Sequence, residues 1–273
     1  MIELWNEMNC VGGGYPLILE WNEKILPRVK ALFTHQLVTN SLGSLDSDRS
    51  AKCYKDFCWD KTDVLQIHRY LDQGAPYGIC GESPIPSIKE AFDLMRTNER
   101  PMLLAETGAV NNCHSAEFKY YSADDRGIIF VDSVYTPIFV GSAGCGNIWH
   151  WDRRYVESKN LYRYFKPLLK LVDGVDLAAE SFEPIDLSGD EAYVLVLKGR
   201  STSLCFVRNK SDSWMNTLRD MHEPREIDFD IQICGENIEV IQIWDDERAD
   251  ISLENDSVRV RNMRFGALFK IKK

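Results

Sequence analysis

The sequence predicts an α/β region followed by an all-β region, and three observations carry that expectation. Short apolar runs ending in polar residues alternate with helical repeats through residues 1–176. From residue 177 onward the pattern becomes short strands separated by polar turns. The chain has 273 residues, 44% of them hydrophobic, enough to bury a sizeable core in one large domain or two. The expected division is an α/β domain over 1–176 with parallel βαβ units, and an antiparallel β-sandwich over 177–273.

The first strand is expected at Ile2-Glu3-Leu4-Trp5-Asn6-Glu7, with Glu3, Trp5 and Glu7 on one face and Ile2, Leu4 and Met8 on the other. After Gly12-Gly13-Gly14, apolar residues at 17, 18, 21, 25, 26, 29 and 32 give helical spacing, with Pro27 expected to kink it. A β-branched strand follows at 35–41. Residues 42–59, rich in Gly, Ser and Asp, read as a loop. Strands are then expected at 63–70, 101–106 and 145–151, with helices at 87–96, 124–140 and 160–172. Beyond 177, seven short strands are expected, and no helix interrupts them.

Composition narrows the function. A formal net charge of -10 argues against nucleic acid or an anionic membrane surface, both of which attract a basic face. No apolar run has the length of a membrane span, and no signal peptide precedes the first strand. The eight cysteines lack C-x-x-C or zinc-finger spacing, so no metal or redox cofactor is expected. They read as small apolar core residues, with a Cys53–Cys58 pair within one loop left open. Gly12-Gly13-Gly14 is not followed by Lys-Ser/Thr and reads as a turn rather than a phosphate cradle. His114 and His150 fit no metal-ligand spacing and receive no role.

The strand ends hold the chemistry. Asn6-Glu7, His68 with Tyr70, Glu106, and Trp149 with Trp151 all fall at carboxyl-terminal strand ends, the rim that carries the active site in (β/α)₈ barrels. Glu7 and Glu106 are separated by three βα units of roughly 33 residues each, which would set them across a barrel mouth from one another. A strand-end carboxylate can equally be a salt-bridge partner, His68 and Tyr70 satisfied core polar groups, and the two tryptophans packing residues.

Taken together, Trp5-Asn6-Glu7, His68-Arg69-Tyr70, Ala105-Glu106-Thr107-Gly108 and Gly146-Asn147-Ile148-Trp149-His150-Trp151-Asp152 resemble the motifs of the clan of retaining (β/α)₈ glycoside hydrolases. That clan includes the family 5 cellulases and mannanases, and its bacterial members with a C-terminal β-domain are the most similar. The resemblance implies a partial (β/α)₈ TIM barrel, strands four to eight, followed by the β-sandwich. It implies Glu7 as general acid/base, Glu106 as nucleophile, and Asn6, His68, Tyr70, Trp149 and Trp151 as substrate-binding residues. The partner would be an oligo- or polysaccharide, with no cofactor, and the location secreted or periplasmic.

The chain departs from the clan in one respect. If Ile2 to Glu7 is the fourth strand, strands one to three are absent, and five strands cannot close a barrel alone. Either the gene product is truncated or a second chain completes the barrel. The unpaired edges are expected to self-associate. Two functions follow: a retaining β-glycoside hydrolase or part of one, and a non-catalytic carbohydrate-binding or structural protein derived from such a barrel.

Overall fold

A computed structural model describes residues 1–96, 100–112, 114, 116–254 and 257–273. Its first part is an array of parallel strands with helices packed beside them. Strands β1 (Ile2–Glu3) and β2 (Val38–Thr39) pair in parallel, as do β3 (Leu65–His68) and β4 (Met102–Glu106). The two pairs join where Asp63 N donates to the Val38 carbonyl at 2.9 Å and Thr39 Oγ1 to the Val64 carbonyl at 2.8 Å. Helices α1 (Tyr15–Leu32), α2 (Asp48–Phe57), α3 (Pro84–Met95) and α4 (Ile128–Phe139) follow the strands. Each packs on the next: α1 on α2, α2 on α3, α3 on α4.

Three sequence expectations are corrected here. The stretch read as a loop, 42–59, contains α2. Its Ser and Asp residues form the start of the helix rather than a turn. Ser47 Oγ accepts from Ser50 N at 3.2 Å while Ser50 Oγ accepts from Ser47 N at 3.0 Å, a reciprocal cap. Buried Ser50, Cys53, Tyr54 and Phe57 then form its inner face. Second, the first strand ends at Glu3 rather than Glu7, because the backbone turns through a left-handed Glu7 into a 3₁₀ turn at Met8–Cys10.

Third, 145–151 is not a strand. Among the described residues, single parallel bridges, Met102 with Ser142 and Thr107 with Ile148, extend the array past β4. Gly146 explains the interruption: its N–H donates to the Val134 carbonyl of α4 at 3.0 Å. A Cβ there would lie 2.3 Å from the Ser133 carbonyl, which Pro137 leaves without its usual helical N–H partner. At Gly146 the donor goes to the helix, while Ala143, Asn147 and Trp149 on either side still bond Met102 and Thr107 of the neighbouring segment.

After α5 (Phe165–Val172) and the single turn α6 (Leu177–Glu180) come, among the described residues, eight antiparallel strands. They are β5 (Glu183–Asp186), β6 (Ala192–Lys198), β7 (Thr202–Asn209), β8 (Ile227–Gln232), β9 (Asn237–Gln242), β10 (Asp250–Glu254), β11 (Ser257–Met263) and β12 (Gly266–Lys272). They form a five-stranded sheet in the order β5-β6-β7-β12-β9 and a three-stranded sheet in the order β10-β11-β8. A π-helical turn, Trp214–Arg219, interrupts the strands, contrary to the sequence expectation. Trp214 Nε1 donates to the Glu82 carbonyl, and its ring meets Phe118, so the turn fastens the β region to the loops of the first part.

The central sheet is buried on both faces. Val194, Val196, Cys205, Val207 and Phe269 share a core with Ile227, Ile231, Val258 and Val260 of the smaller sheet. The alternate residues Leu195, Leu197, Leu204, Phe206 and Leu268 join the core that holds α4 and α5. This is why Val194-Leu195-Val196-Leu197 runs without polar breaks: a strand with two covered faces has no solvent side.

Among the described cysteines, Cys53, Cys58, Cys80 and Cys205 are buried and Cys145 half-buried, as expected of core residues, whereas Cys10 and Cys234 are exposed. All of these are free thiols, so Cys53 and Cys58 are not joined. Cys113 lies outside the described residues.

Candidate active site

The site is assembled where the parallel strands end. Glu7 follows β1 with φ 48° and ψ 52°, a conformation that costs an L-residue with a long side chain roughly 1–2 kcal/mol. Ser41, just past β2, holds this turn. Its Oγ accepts from Glu7 N at 3.0 Å and donates to Asn6 Oδ1 at 3.1 Å. Strain kept at a carboxylate in the turn that follows a strand is the kind of outlier that accompanies functional positions.

His68 and Glu106 are brought side by side by a register shift. Leu65, Gln66 and Ile67 pair in sequence with Met102, Leu103 and Leu104, and His68 then lies opposite Glu106 rather than Ala105. Such a bulge re-aims the side chains at a strand end. His68 is 1% exposed, and its Nδ1 sits 2.9 Å from Glu7 Oε1 and 3.5 Å from Glu106 Oε2. The two glutamates are open to the surface, with side chains 29% and 22% exposed. Tyr54 of α2 secures the end of β3: its hydroxyl accepts from His68 N at 2.9 Å and donates to the Leu42 carbonyl at 2.9 Å.

Tyr70, buried, donates its hydroxyl to Glu106 Oε2 at 2.5 Å. Burial first, and then its bond to the Glu106 carboxylate, hold the phenol far above its ordinary value of 10, so it is a permanent donor. Trp149 stands edge-on to Tyr70, ring centroids 6.5 Å apart, with its own ring half-exposed. Glu7, His68, Tyr70, Glu106 and Trp149 therefore form one connected group.

Two expected site residues stand apart from it. Asn6 is tied to the group through Ser41, whose hydroxyl also accepts from Glu7 N. Trp151 is exposed, and its carbonyl accepts from the Tyr162 hydroxyl at 2.9 Å. With no strand at 145–151, the two tryptophans do not share a strand face. The geometry also separates His68 from the surface, so it contacts the glutamates rather than solvent.

One residue that the sequence left without a role belongs to this surface. His114 Nε2 is 2.8 Å from Asp72 Oδ2, and its ring meets Tyr70 edge-on at 5.6 Å. No spacing signal marked it, because it comes from the irregular segment after β4. A cleft of about 660 Å³ opens beside Glu7, lined by Tyr15, Asp46, Ser47, Asn112 and His114 among others. Glu106 is not on the wall of that cleft. Among the described residues, two side-chain groups have ligand atoms within 4.8 Å of one another and could hold a cation: Glu7, His68 and Glu106, and Asp46, Asp72 and His114.

Chemically, the first of these groups offers two carboxylates facing across a small gap, one bridged by an imidazole and the other also bonded to a phenol. That arrangement can deliver a proton from one side of a substrate atom and a nucleophile or a negative charge from the other.

Neither a family model nor a curated protein matches the chain. Solved structures do. A family 51 α-L-arabinofuranosidase from Bifidobacterium longum superposes with a TM-score of 0.52 at 12% identity, over 99% of this chain and 66% of that one. A family 30 endoxylanase from Clostridium papyrosolvens gives a TM-score of 0.57 at 11% identity, over 99% and 65%. A family 30 subfamily 8 xylanase from Clostridium acetobutylicum gives 0.56 at 9% identity, over 99% and 65%. At these identities the likeness is one of fold: the chain has a glycoside-hydrolase-like fold and spans about two thirds of the length of these structures.

Proposed function

We propose that this chain carries the catalytic pair of a retaining β-glycoside hydrolase acting on an oligo- or polysaccharide. The observation that supports the reading most is the pairing of Glu7 with Glu106 around His68, all with reactive atoms within 4.8 Å. Retaining glycosidases hold their two carboxyl groups about 5–5.5 Å apart, whereas inverting ones leave about 6.5–9.5 Å for a water. The fold likeness to arabinofuranosidase and xylanase structures agrees with this chemistry.

In this reading Glu106 attacks the anomeric carbon while Glu7 gives its proton to the departing oxygen. The C–O bond of the glycoside breaks as the C–O bond to Glu106 forms. Glu7, now a carboxylate, takes a proton from water, which displaces Glu106 and restores both groups. Tyr70 donates to Glu106 and releases that bond as charge moves to the sugar. Asn6 offers an amide to a sugar hydroxyl, and Trp149 and Trp151 offer exposed indole faces to sugar rings. His68 acts through the two glutamates rather than on the sugar.

We read the parallel array as strands four to eight of a (β/α)₈ barrel over 1–176 and the two antiparallel sheets as an appended sandwich domain over 177–273. Membership of the family 5 side of the clan, and a secreted or periplasmic location, belong to the same reading. A second reading, carbohydrate binding without turnover, draws on the exposed indoles of Trp149 and Trp151, which offer sugar-stacking faces that take no part in bond breaking.

The test uses 2,4-dinitrophenyl β-glycosides, whose leaving group needs no acid. Glu7→Gln should still glycosylate Glu106 but stall, with turnover about 10²–10⁴-fold below wild type. Azide should restore turnover by releasing the β-glycosyl azide. Glu106→Gln should give no such product. Equal loss in both variants without rescue would remove the assigned roles. Sugar binding by calorimetry with no hydrolysis in the wild type would favour the second reading.

A further inference from the structure

The cleft of about 660 Å³ beside Glu7 is bounded by the starts of α1 and α2 and by the segment after β4. Its size falls in the range of roughly 300–1,000 Å³ common to small-molecule sites. Glu7 is on its wall and Glu106 is not. A cleft that holds one of two opposed carboxylates and excludes the other belongs to one side of the bond between them.

Two polar groups on that wall are held in place. Asp46 stands just before the cap of α2. Its Oδ1 accepts from the Ser47 hydroxyl at 3.1 Å and the Ser50 hydroxyl at 3.3 Å, and its N–H donates to Ser50 Oγ at 2.9 Å. Its carbonyl accepts from Tyr77 N at 2.8 Å. Oδ2 of Asp46 has no hydrogen-bond partner among the described residues. His114 is anchored by buried Asp72, whose Oδ2 is 2.8 Å from Nε2 and whose Oδ1 accepts from Gly74 N at 2.8 Å. When Nε2 donates to Asp72, the neutral imidazole keeps Nδ1 as an acceptor. His114 also shares a left-handed backbone with Glu7, φ 50° against 48°, so two strained residues border one cleft.

We infer that this cleft receives the leaving group of the glycosidic bond, and that Asp46 and His114 select a sugar unit there. The inference rests on the proposed catalytic roles: Glu7 protonates the departing oxygen, so the departing unit lies on the side of Glu7. Two fixed acceptors call for a ligand rich in donors. The hydroxyls of a sugar supply them. An aryl or alkyl leaving group supplies none, and it would displace water from the Asp46 carboxylate without replacing the lost bond. Tyr15 and Ile18 add apolar surface for the C–H face of the ring.

Two probe pairs test this, each with one glycosyl unit and two leaving groups: cellotriose with 2,4-dinitrophenyl β-cellobioside, and xylotriose with 2,4-dinitrophenyl β-xylobioside. Asp46→Asn keeps an acceptor for Ser47 and Ser50, and His114→Asn keeps a residue type that tolerates a left-handed backbone. In each variant, kcat/KM for the trisaccharide should fall about tenfold further than kcat/KM for its aryl partner, the effect of one lost hydrogen bond to a fixed polar group. The ratio within one variant does not depend on how much of the protein is folded. Equal falls on both members of a pair would overturn the subsite and leave the catalytic reading in place. So would a wild type that cleaves the aryl glycosides but neither trisaccharide. A wild type inactive on all four probes would instead remove the catalytic reading, and the subsite with it.

Discussion

At the residue scale, the site depends on side chains that hold other side chains. His68 is buried and bridges two carboxylates that are themselves part-exposed, and Tyr70 anchors one of them from beneath. Under the proposed function, both are positioning residues. His68→Ala should lower kcat by about 10- to 100-fold, since misplacement of reacting groups by about 1 Å costs on that scale. KM should change little, because no sugar contact is lost. Tyr70→Phe should behave alike, with a further signature. Burial and the neighbouring Glu106 hold the Tyr70 phenol above its ordinary range, so it does not ionise anywhere near the working pH. The alkaline limb of the kcat/KM profile should therefore be the same in Tyr70→Phe as in the wild type. A limb that moves would assign the phenol a titrating role.

At the scale of elements, short capping contacts decide where the chain turns. Glu180, the last residue of α6, gathers the turn between β6 and β7: its carboxylate accepts from Ser201 N at 2.8 Å, Thr202 N at 3.1 Å and the Ser201 hydroxyl. Gly199 is required beside it, because a Cβ there would lie 2.4 Å from Glu180 Oε2. The Ser201 hydroxyl foremost, and then the backbone amides against the cost of burial, bring the Glu180 carboxyl down to about 2 from 4.5. A depressed carboxyl stabilises the fold above its unfolded value, and that share is lost as pH falls from about 4.5 toward 2. Glu180→Gln should cost about 1.5–3 kcal/mol at pH 6, the range for hydrogen bonds to a charged group. The difference from wild type should shrink at pH 3.5. Urea unfolding at the two pH values checks this, and a constant difference would mean that the charge is not what the turn requires.

At the scale of the whole molecule, the two halves are locked by a buried ion network as well as by the shared core. Arg208 of β7 reaches Asp132 of α4 at 2.6 Å and Asp212 at 3.1 Å, while Arg126 reaches Asp212 at 2.5 Å. Arg208, Asp132 and Asp212 are almost wholly buried, so removing one partner strands a charge in the interior. Arg208→Ala should destabilise the protein by about 3–5 kcal/mol, read as a lower urea midpoint. A change under about 1 kcal/mol would mean that the network is solvated. The same interface bears on the segment 177–273, which the sequence presents as a unit of its own size. Its central sheet lays Leu195, Leu204 and Phe206 against the helices, so cutting there would expose an apolar face.

The sequence by itself determined the strands that end at His68 and Glu106 and that the chain changes character near residue 177. Those properties live in neighbouring residues: the alternating run that ends at His68 and the continuous apolar run that ends at Glu106 are both legible because they are local properties of the backbone. The helix α2 was hidden for the same reason, since Ser47 and Ser50 look alike in a turn and in a cap until the hydrogen bonds are closed. Only the tertiary structure decided the rest. The bulge that sets His68 opposite Glu106 depends on how β3 and β4 register, and the break at 145–151 depends on α4 approaching Gly146. His114 joins the site only because the segment after β4 folds back onto Tyr70 and Asp72. Each is a contact between segments distant in sequence, where the deciding energy is packing and hydrogen-bond closure across the fold, and no local pattern encodes it.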